Sequence, residues 1–309
     1  MTDTAILAED LRKTFGEVVA VDQISLAVPR GTVLGLLGVN GAGKTTMVRM
    51  LTTVLAPTSG RGEVNGFDVH DHPQAVRRSI GLAGQFAAVD ENLTGRENLI
   101  LVGRLNHLTK AASRERADDL LVQFRLDDAG NRPARTYSGG MRRRLDLGAA
   151  LITHPPVLFL DEPTTGLDPA SRLDLWGVIE GLVSEGTTVL LTTQYLEEAD
   201  RLADNIVVID QGRIAAEGTP RQLKSRLGDT VIEFEFKTAE SAAAAAQALS
   251  STTSAGTIVR VVMADGANTL RDALNRLDGA GLPPHHVALR EPTLNDVFLT
   301  LTASNGAPE

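Results

Sequence analysis

Gly38-Val39-Asn40-Gly41-Ala42-Gly43-Lys44-Thr45 spells G-x-x-x-x-G-K-[ST], and the chemistry that suits it is phosphate binding. The apolar run Thr32-Val33-Leu34-Gly35-Leu36-Leu37 before it reads as a buried strand, and Thr46-Met47-Val48-Arg49-Met50-Leu51 after it reads as a helix. Strand, glycine turn and helix is the context such a loop requires. The glycines let backbone N–H groups curl around a polyphosphate without Cβ clashes. The helix N-terminus behind them adds roughly half a positive charge. Lys44 is placed to reach β- and γ-phosphates, and Thr45 Oγ to bind Mg²⁺.

A phosphate loop serves many reactions, and further features narrow the choice. Val157-Leu158-Phe159-Leu160 is a continuous apolar run, the mark of a parallel strand covered on both faces, and it ends in Asp161-Glu162. From there Asp161 can hold Mg²⁺ through water, and Glu162 can orient or deprotonate an attacking water. Gln85 and Gln194 each end another expected parallel strand, where ligands bind. Either amide can touch Mg²⁺, water or a γ-phosphate. Tyr137-Ser138-Gly139-Gly140-Met141 opens a helix, so Ser138 and the backbone N–H groups form a second anion site. One nucleotide cannot easily use both sites if they lie on different lobes. A head-to-tail pair of chains resolves this, each covering its partner's nucleotide.

These residues sit in a chain of 309 residues, enough for about two domains. Hydrophobic residues make up 42 % and charged residues 22 %, the balance of an ordinary globular protein. A net charge of -9 disfavours general nucleic-acid binding. The absence of cysteine excludes disulfides and thiolate chemistry and fits a reducing compartment. Met1-Thr2-Asp3-Thr4 does not read as a signal peptide. No apolar run approaches the roughly 20 residues needed to cross a bilayer. At a membrane, another chain would supply the span.

Ile6-Leu7, Val18-Val19-Ala20-Val21 and the stretch from Ile24 to Val28 predict antiparallel strands, with Phe15 alone in a turn region. Gly62-Glu63-Val64-Asn65-Gly66 predicts another short strand, and Pro73 opens a helix whose positive end suits Asp68 and Asp71. His70 and His72 flank Asp71 at that solvated helix start, with no third metal ligand evident. Thr94-Gly95-Arg96-Glu97 is a capping-box pattern opening a largely helical stretch to about Phe124. Arg142, Arg143 and Arg144 read as a solvated helix face with local acidic partners, and Trp176 and Tyr195 as packing residues. Buried strands alternating with helices predict a doubly wound α/β core over residues 1–227. Residues 228–309 predict a small α+β domain without a catalytic constellation. Its last helix would carry Leu294, Val297, Phe298 and Leu301 on one face.

In this order and spacing the motifs resemble the nucleotide-binding subunit of ATP-binding cassette (ABC) transporters, across about residues 4–227. The resemblance implies a P-loop ABC ATPase fold: a RecA-like core, an antiparallel β subdomain and a helical subdomain at about residues 86–154. It implies that Gly38, Asn40, Gly41, Ala42, Gly43, Lys44, Thr45 and Thr46 form the Walker A loop around ATP. Gln85 becomes the Q-loop residue, Ser138-Gly139-Gly140 the signature, and Leu158 to Asp161 the Walker B strand. Glu162 becomes the catalytic glutamate, with Lys44 and Gln194 acting beside it, and Gly166-Leu167-Asp168 the D-loop. Phe15 would stack on adenine, and Thr45, Gln85 and Asp161 would serve Mg²⁺. ATP would lie between the Lys44 side of one copy and the Ser138 side of another. A groove beside Gln85 would receive a helix of a membrane permease at the cytoplasmic face of the membrane.

A narrower resemblance is to the ATPase subunits of drug-resistance exporters of the daunorubicin type. It rests on Thr136-Tyr137-Ser138-Gly139-Gly140-Met141-Arg142-Arg143-Arg144, on Leu191-Thr192-Thr193-Gln194-Tyr195-Leu196-Glu197-Glu198-Ala199-Asp200, and on Pro292-Thr293-Leu294-Asn295-Asp296-Val297-Phe298-Leu299. It implies membrane partners that export hydrophobic antibiotics, other drugs or lipid-like molecules. Gln194 stands where most of the wider family has histidine. An amide can donate a hydrogen bond there but cannot become cationic, which predicts competent but slow hydrolysis without a pH dependence from that position. Met141, Val39 and Phe15 replace the usual glutamine, proline and tyrosine, with little loss expected. Two rival readings are a soluble ABC-type ATPase acting on ribosomes or DNA and an importer subunit. The single cassette, the lack of a heptad run and the acidic balance speak against the first. The signature and C-terminal segment favour export over import.

Overall fold

The computed structural model describes residues 3–84, 89–225, 230–250, 253–263, 266–290 and 293–297. It divides into two compact units, Met1–Pro220 and Arg221–Glu309. The boundary expected between 227 and 228 falls among residues 226–229, outside the described residues.

In the first unit, β1 (Thr4–Phe15) pairs antiparallel with β2 (Val18–Pro29). Ile24, Leu26 and Val28 alternate inward along β2, as a half-buried strand requires. The two short strands expected over 18–21 and 24–28 are one strand. Gln23 takes φ 54°, and the register slips between Leu11↔Ile24 and Lys13↔Val21, so a bulge rather than a turn joins them. Next, β3 (Val33–Leu37) runs into the glycine loop and α1 (Lys44–Leu51) leaves it. Then β4 (Ser59–Val64) and β5 (Phe67–Asp68) complete a sheet of order β2-β1-β4-β5. Asn65 and Gly66, expected within a strand, take φ 51° and 85° and make the turn between them. Both φ values are positive, the preference of Asn-Gly hairpins.

Helix α2 (Pro73–Ser79) leads into β6 (Ile80–Ala83). The second sheet adds β7 (Val157–Asp161), β8 (Thr188–Thr193), β9 (Asn205–Asp210) and β10 (Arg213–Gly218), in the order β10-β9-β3-β8-β7-β6. All pair in parallel except β10. Every residue of β3, β7 and β8 is buried, which is why their centres, Val33–Leu37, Val157–Leu160 and Val189–Leu191, read as apolar runs. The helices are α3 (Gly95–Leu105), α4 (Lys110–Gln123), α5 (Gly139–Ala150), α6 (Pro169–Ser184) and α7 (Leu196–Leu202). The capping box forms: Glu97 N–H donates to Thr94 Oγ1 at 3.1 Å, and Thr94 N–H to Glu97 Oε2 at 2.8 Å. The helical stretch to Phe124 is broken at His107, φ 66°, and restarts at the Thr109 cap.

Met47, Met50 and Leu51 of α1 share one core with Ile6, Leu11 and Ile24 of the first sheet and Leu34, Leu36, Phe159 and Leu190 of the second. Helix α1 is therefore held by both sheets, and the glycine loop at its N-terminus is held with it. Among the described residues, no helix is long and apolar enough to cross a membrane.

Helix α8 (Pro220–Ser225) begins at the last residue of the first unit. The second unit contains β11 (Val231–Glu235), α9 (Ala239–Ala248), β12 (Thr253–Ala255), β13 (Ile258–Val262), α10 (Gly266–Gly279) and β14 (His286–Arg290). Its antiparallel sheet has the order β12-β13-β11-β14. Ile232, Phe234 and Phe236 are buried with Ala242, Ala245, Val259 and Leu277. The alternate residue Glu233 instead accepts from Arg260 at 2.7 Å. Residues 294–297 are helical with Leu294 and Val297 buried, whereas Phe298 and Leu301 lie outside the described residues.

Candidate active site

The glycine loop is shaped by what surrounds it. Gly43 has φ 112°, and a Cβ there would sit 2.4 Å from Ala20 O. At Gly38 a Cβ would sit 2.4 Å from Ile209 O. Only a residue without Cβ lets the loop pass so close to the neighbouring strands. Lys44 is buried, and its Nζ donates to Gly38 O at 2.8 Å and Val39 O at 3.1 Å. Glu162 Oε1 lies 3.8 Å from the same nitrogen. Burial pushes the Lys44 ammonium below its ordinary pKa, against the opposing pull of Glu162 and Asp161. A cleft of about 270 Å³ opens here, walled by Ala20, Asn40, Gly41, Gly43, Lys44, Thr45, Thr46 and Glu162. Gly38 and Ala42 are buried behind these walls.

The acids at the end of β7 are held by β8. Asp161 is paired with Thr192 in the parallel register. Thr192 Oγ1 donates to Asp161 Oδ1 at 2.5 Å, and Thr45 Oγ1 donates to the same oxygen at 3.2 Å. The Glu162 N–H donates to Thr192 Oγ1 at 3.0 Å and to Thr192 O at 3.1 Å. These bonds fix a bend in which Glu162 has φ 51°. That left-handed conformation costs a non-glycine residue about 1–2 kcal/mol, and each bond returns about 1 kcal/mol. Thr165 Oγ1 donates to Glu162 Oε2 at 3.2 Å, orienting the carboxylate. Sequence reasoning assigned no role to Thr192 or Ala20. A threonine in a buried strand carries no local signal, and only the strand register sets it opposite Asp161.

Other expected site residues stand outside the cleft walls. Ser138 caps α5 by accepting from Met141 N–H at 3.2 Å, and Ser138 and Gly139 are exposed. Gly140 packs so closely on α6 that a Cβ would sit 2.7 Å from Ser171 Oγ. Asp168 caps α6, accepting from Ser171 N–H at 3.0 Å and Ser171 Oγ at 2.8 Å. Those bonds hold its carboxyl below the usual range. Gln194 is exposed just past β8. Phe15 is half exposed at the end of β1, with Lys13 Nζ 5.4 Å from its ring centre. Gln85 lies outside the described residues.

The arginine run fits the solvated face with acidic partners at Arg142, whose side chain is 41 % exposed, and departs from it at Arg143 and Arg144. Arg142 pairs with Glu91 at 3.0 Å, Arg143 donates to backbone carbonyls, and Arg144 donates to Phe124 O at 3.1 Å. Helix α5 lies against α4 and β6, so the side chains of Arg143 and Arg144 meet carbonyl groups of the packed elements. Trp176 is buried, as packing requires, and its Nε1–H donates to buried Glu198 Oε1 at 2.9 Å.

A glycine loop between a parallel strand and a helix, with two acids at the end of β7, two places along the same sheet, defines a phosphate-loop nucleotide-binding protein. Residues 21–165 match the ABC transporter family, and residues 218–302 match the C-terminal domain described as ATP-binding protein DrrA1-3-like. The chain is 52 % identical to daunorubicin resistance ATP-binding protein DrrA3 of Streptomyces coeruleorubidus, covering 99 % of this chain and 98 % of that protein. It is 48 % identical to daunorubicin/doxorubicin resistance ATP-binding protein DrrA of Streptomyces peucetius, covering 96 % and 92 %. A solved ATP binding subunit of an ABC transporter matches with TM-score 0.66 and 28 % identity, over 72 % of this chain and 93 % of that one. The chain belongs to the ABC transporter ATP-binding proteins, in the branch that contains the daunorubicin-resistance subunits.

Proposed function

We propose that this chain hydrolyses ATP to drive export of hydrophobic drugs, antibiotics or lipid-like compounds through a separate membrane permease. The observation that carries the hydrolytic reading is the convergence of Lys44, Thr45, Asp161 and Glu162: Thr45 Oγ1 lies 3.2 Å from Asp161 Oδ1, and Lys44 Nζ 3.8 Å from Glu162 Oε1. The likeness to the two named resistance proteins runs through the C-terminal unit and supports the drug-export reading.

The loop N–H groups and Lys44 bind the β- and γ-phosphates. Thr45 and Asp161 present only oxygen donors, a set that fits Mg²⁺, and Gln85 joins them by resemblance. When bound, the ion offsets charge on the phosphates. Glu162 takes a proton from the water that attacks the γ-phosphorus, and ADP leaves with the electron pair of the broken P–O bond. Gln194 donates a hydrogen bond to the γ-phosphate, and Phe15 stacks on the base. Ser138 and Gly139 are exposed at the start of α5 and outside the cleft walls. That placement supports a head-to-tail pair in which they cover a second copy's nucleotide, with Asp168 beside them.

Two measurements test this reading. Glu162→Gln binds ATP but turns over at least about a hundredfold more slowly; a rate within a few-fold of the parent would sink the assignment. The tagged chain, purified from native membranes in mild detergent, brings down a polytopic membrane protein in stoichiometric amount. Recovery with ribosomes or DNA instead would favour a non-transport ATPase.

A further inference from the structure

We propose that Arg143 is a positioning residue that grips the backbone on both sides of Glu162 and so sets the direction of its carboxylate. The proposal rests on the reading of Glu162 as the residue that activates water. Arg143 lies in the first turns of α5, and its side chain is only 13 % exposed. Its Nε donates to Pro163 O at 2.6 Å and its Nη2 to Asp161 O at 3.2 Å. Those carbonyls belong to the residues immediately before and after Glu162. Nη1 donates to Gly84 O, at the end of β6, and lies 3.4 Å from Asp146 Oδ2. The Asp146 side chain, 2 % exposed, supplies the counter-charge.

One planar fork thus spans a bend whose central residue has φ 51°. A strained conformation of this kind persists only where its surroundings over-determine it. Thr192 holds the Glu162 N–H from β8, and Arg143 holds the flanking carbonyls from α5. A lysine is a point donor on a flexible stem and cannot reproduce the fork. Arg143 is not a wall of the nucleotide cleft, so its loss separates turnover from binding.

The test uses the full chain and the variants Arg143→Met and Arg143→Lys, with ATP Kd from equilibrium binding and kcat and KM from hydrolysis. In Arg143→Met, kcat falls about tenfold or more, and Kd stays within about threefold of the parent. Arg143→Lys restores part of the rate. In a Glu162→Gln background, Arg143→Met changes the residual single-turnover rate by less than about twofold, because the group it positions is already gone. An undiminished kcat, a Kd that rises in step with the fall in kcat, or a full additive loss in the Glu162→Gln background overturns the proposal. If Arg143→Met does not unfold cooperatively, Arg143→Lys alone carries the same comparisons: lower kcat at unchanged Kd supports the proposal, and parental kcat overturns it. A Glu162→Gln enzyme with near-parental turnover would instead remove the reading of Glu162 itself.

Discussion

The Thr192 hydroxyl donates to Asp161 Oδ1 across 2.5 Å while accepting from the Glu162 N–H at 3.0 Å, so one side chain on β8 holds both acids at the end of β7. Thr192→Val keeps the shape and removes the hydroxyl. Asp161 Oδ1 then keeps Thr45 as its hydroxyl donor, and the Glu162 N–H keeps the Thr192 carbonyl at 3.1 Å. The expected cost is about 1–2 kcal/mol of stability, read as a lower urea midpoint. Turnover falls about tenfold with ATP affinity little changed. An unaltered kcat would mean that the acids do not depend on this hydroxyl.

Two glycines in one loop should respond differently to alanine. At Gly43, the φ of 112° and the 2.4 Å approach to Ala20 O both oppose a Cβ. At Gly41, φ is 83° but a Cβ would meet nothing within 4 Å. Gly41→Ala therefore carries only the backbone cost, about 1–2 kcal/mol. Gly43→Ala must also displace the end of β2 and should weaken nucleotide binding far more. Equilibrium titration of both variants with labelled ATP gives the ranking, and equal losses would contradict it.

Glu198 gives a stability dependence on pH with a definite sign. Burial raises its carboxyl above the ordinary value, against the hydrogen bond from Trp176 Nε1–H and the charge of Arg172. The folded protein therefore holds this proton more tightly than the unfolded chain does. Its contribution to stability is complete below the unfolded value and is lost as pH rises through the raised folded value. Glu198→Gln still offers an oxygen to Trp176 Nε1 and no longer titrates. Urea midpoints measured from about pH 4 to pH 8 should fall less for the variant than for the parent. Parallel curves would show that the carboxyl does not titrate differently on folding.

At Gln194 the amide cannot change charge, so it adds no step to the pH–rate profile. Gln194→His should add one, within about a unit of 6.5, the ordinary histidine value. Superimposable profiles for kcat would deny this position a role beside the γ-phosphate.

Much of this arrangement follows from local pattern alone. The apolar runs at the centres of β3, β7 and β8 mark strands covered on both faces, and all three strands are wholly buried. The glycine loop is legible because its spacing answers a local need: positive φ and close approach at fixed offsets from one lysine. Asn40, Gly41, Gly43, Lys44, Thr45, Thr46 and Glu162, all read from the sequence, come together around one cleft. The bulge at Gln23 reads as a break between two strands, because the polar pair Asp22-Gln23 interrupts the apolar pattern whether the chain bulges or turns, and the turn at Asn65 and Gly66 reads as the end of the strand before it.

The sequence by itself determined which residues could bind phosphate and activate water, since those choices rest on side-chain chemistry and on spacing within one strand, loop or helix. Only the tertiary structure decided what holds them. Thr192 reaches Asp161 because β8 pairs with β7 in one register, across 31 positions of chain. Arg143 reaches the carbonyls beside Glu162 because α5 packs against β6, the neighbour of β7 in the sheet. An arginine run looks solvated until a neighbouring backbone is brought to it, and that encounter is a property of packing, which local pattern does not encode.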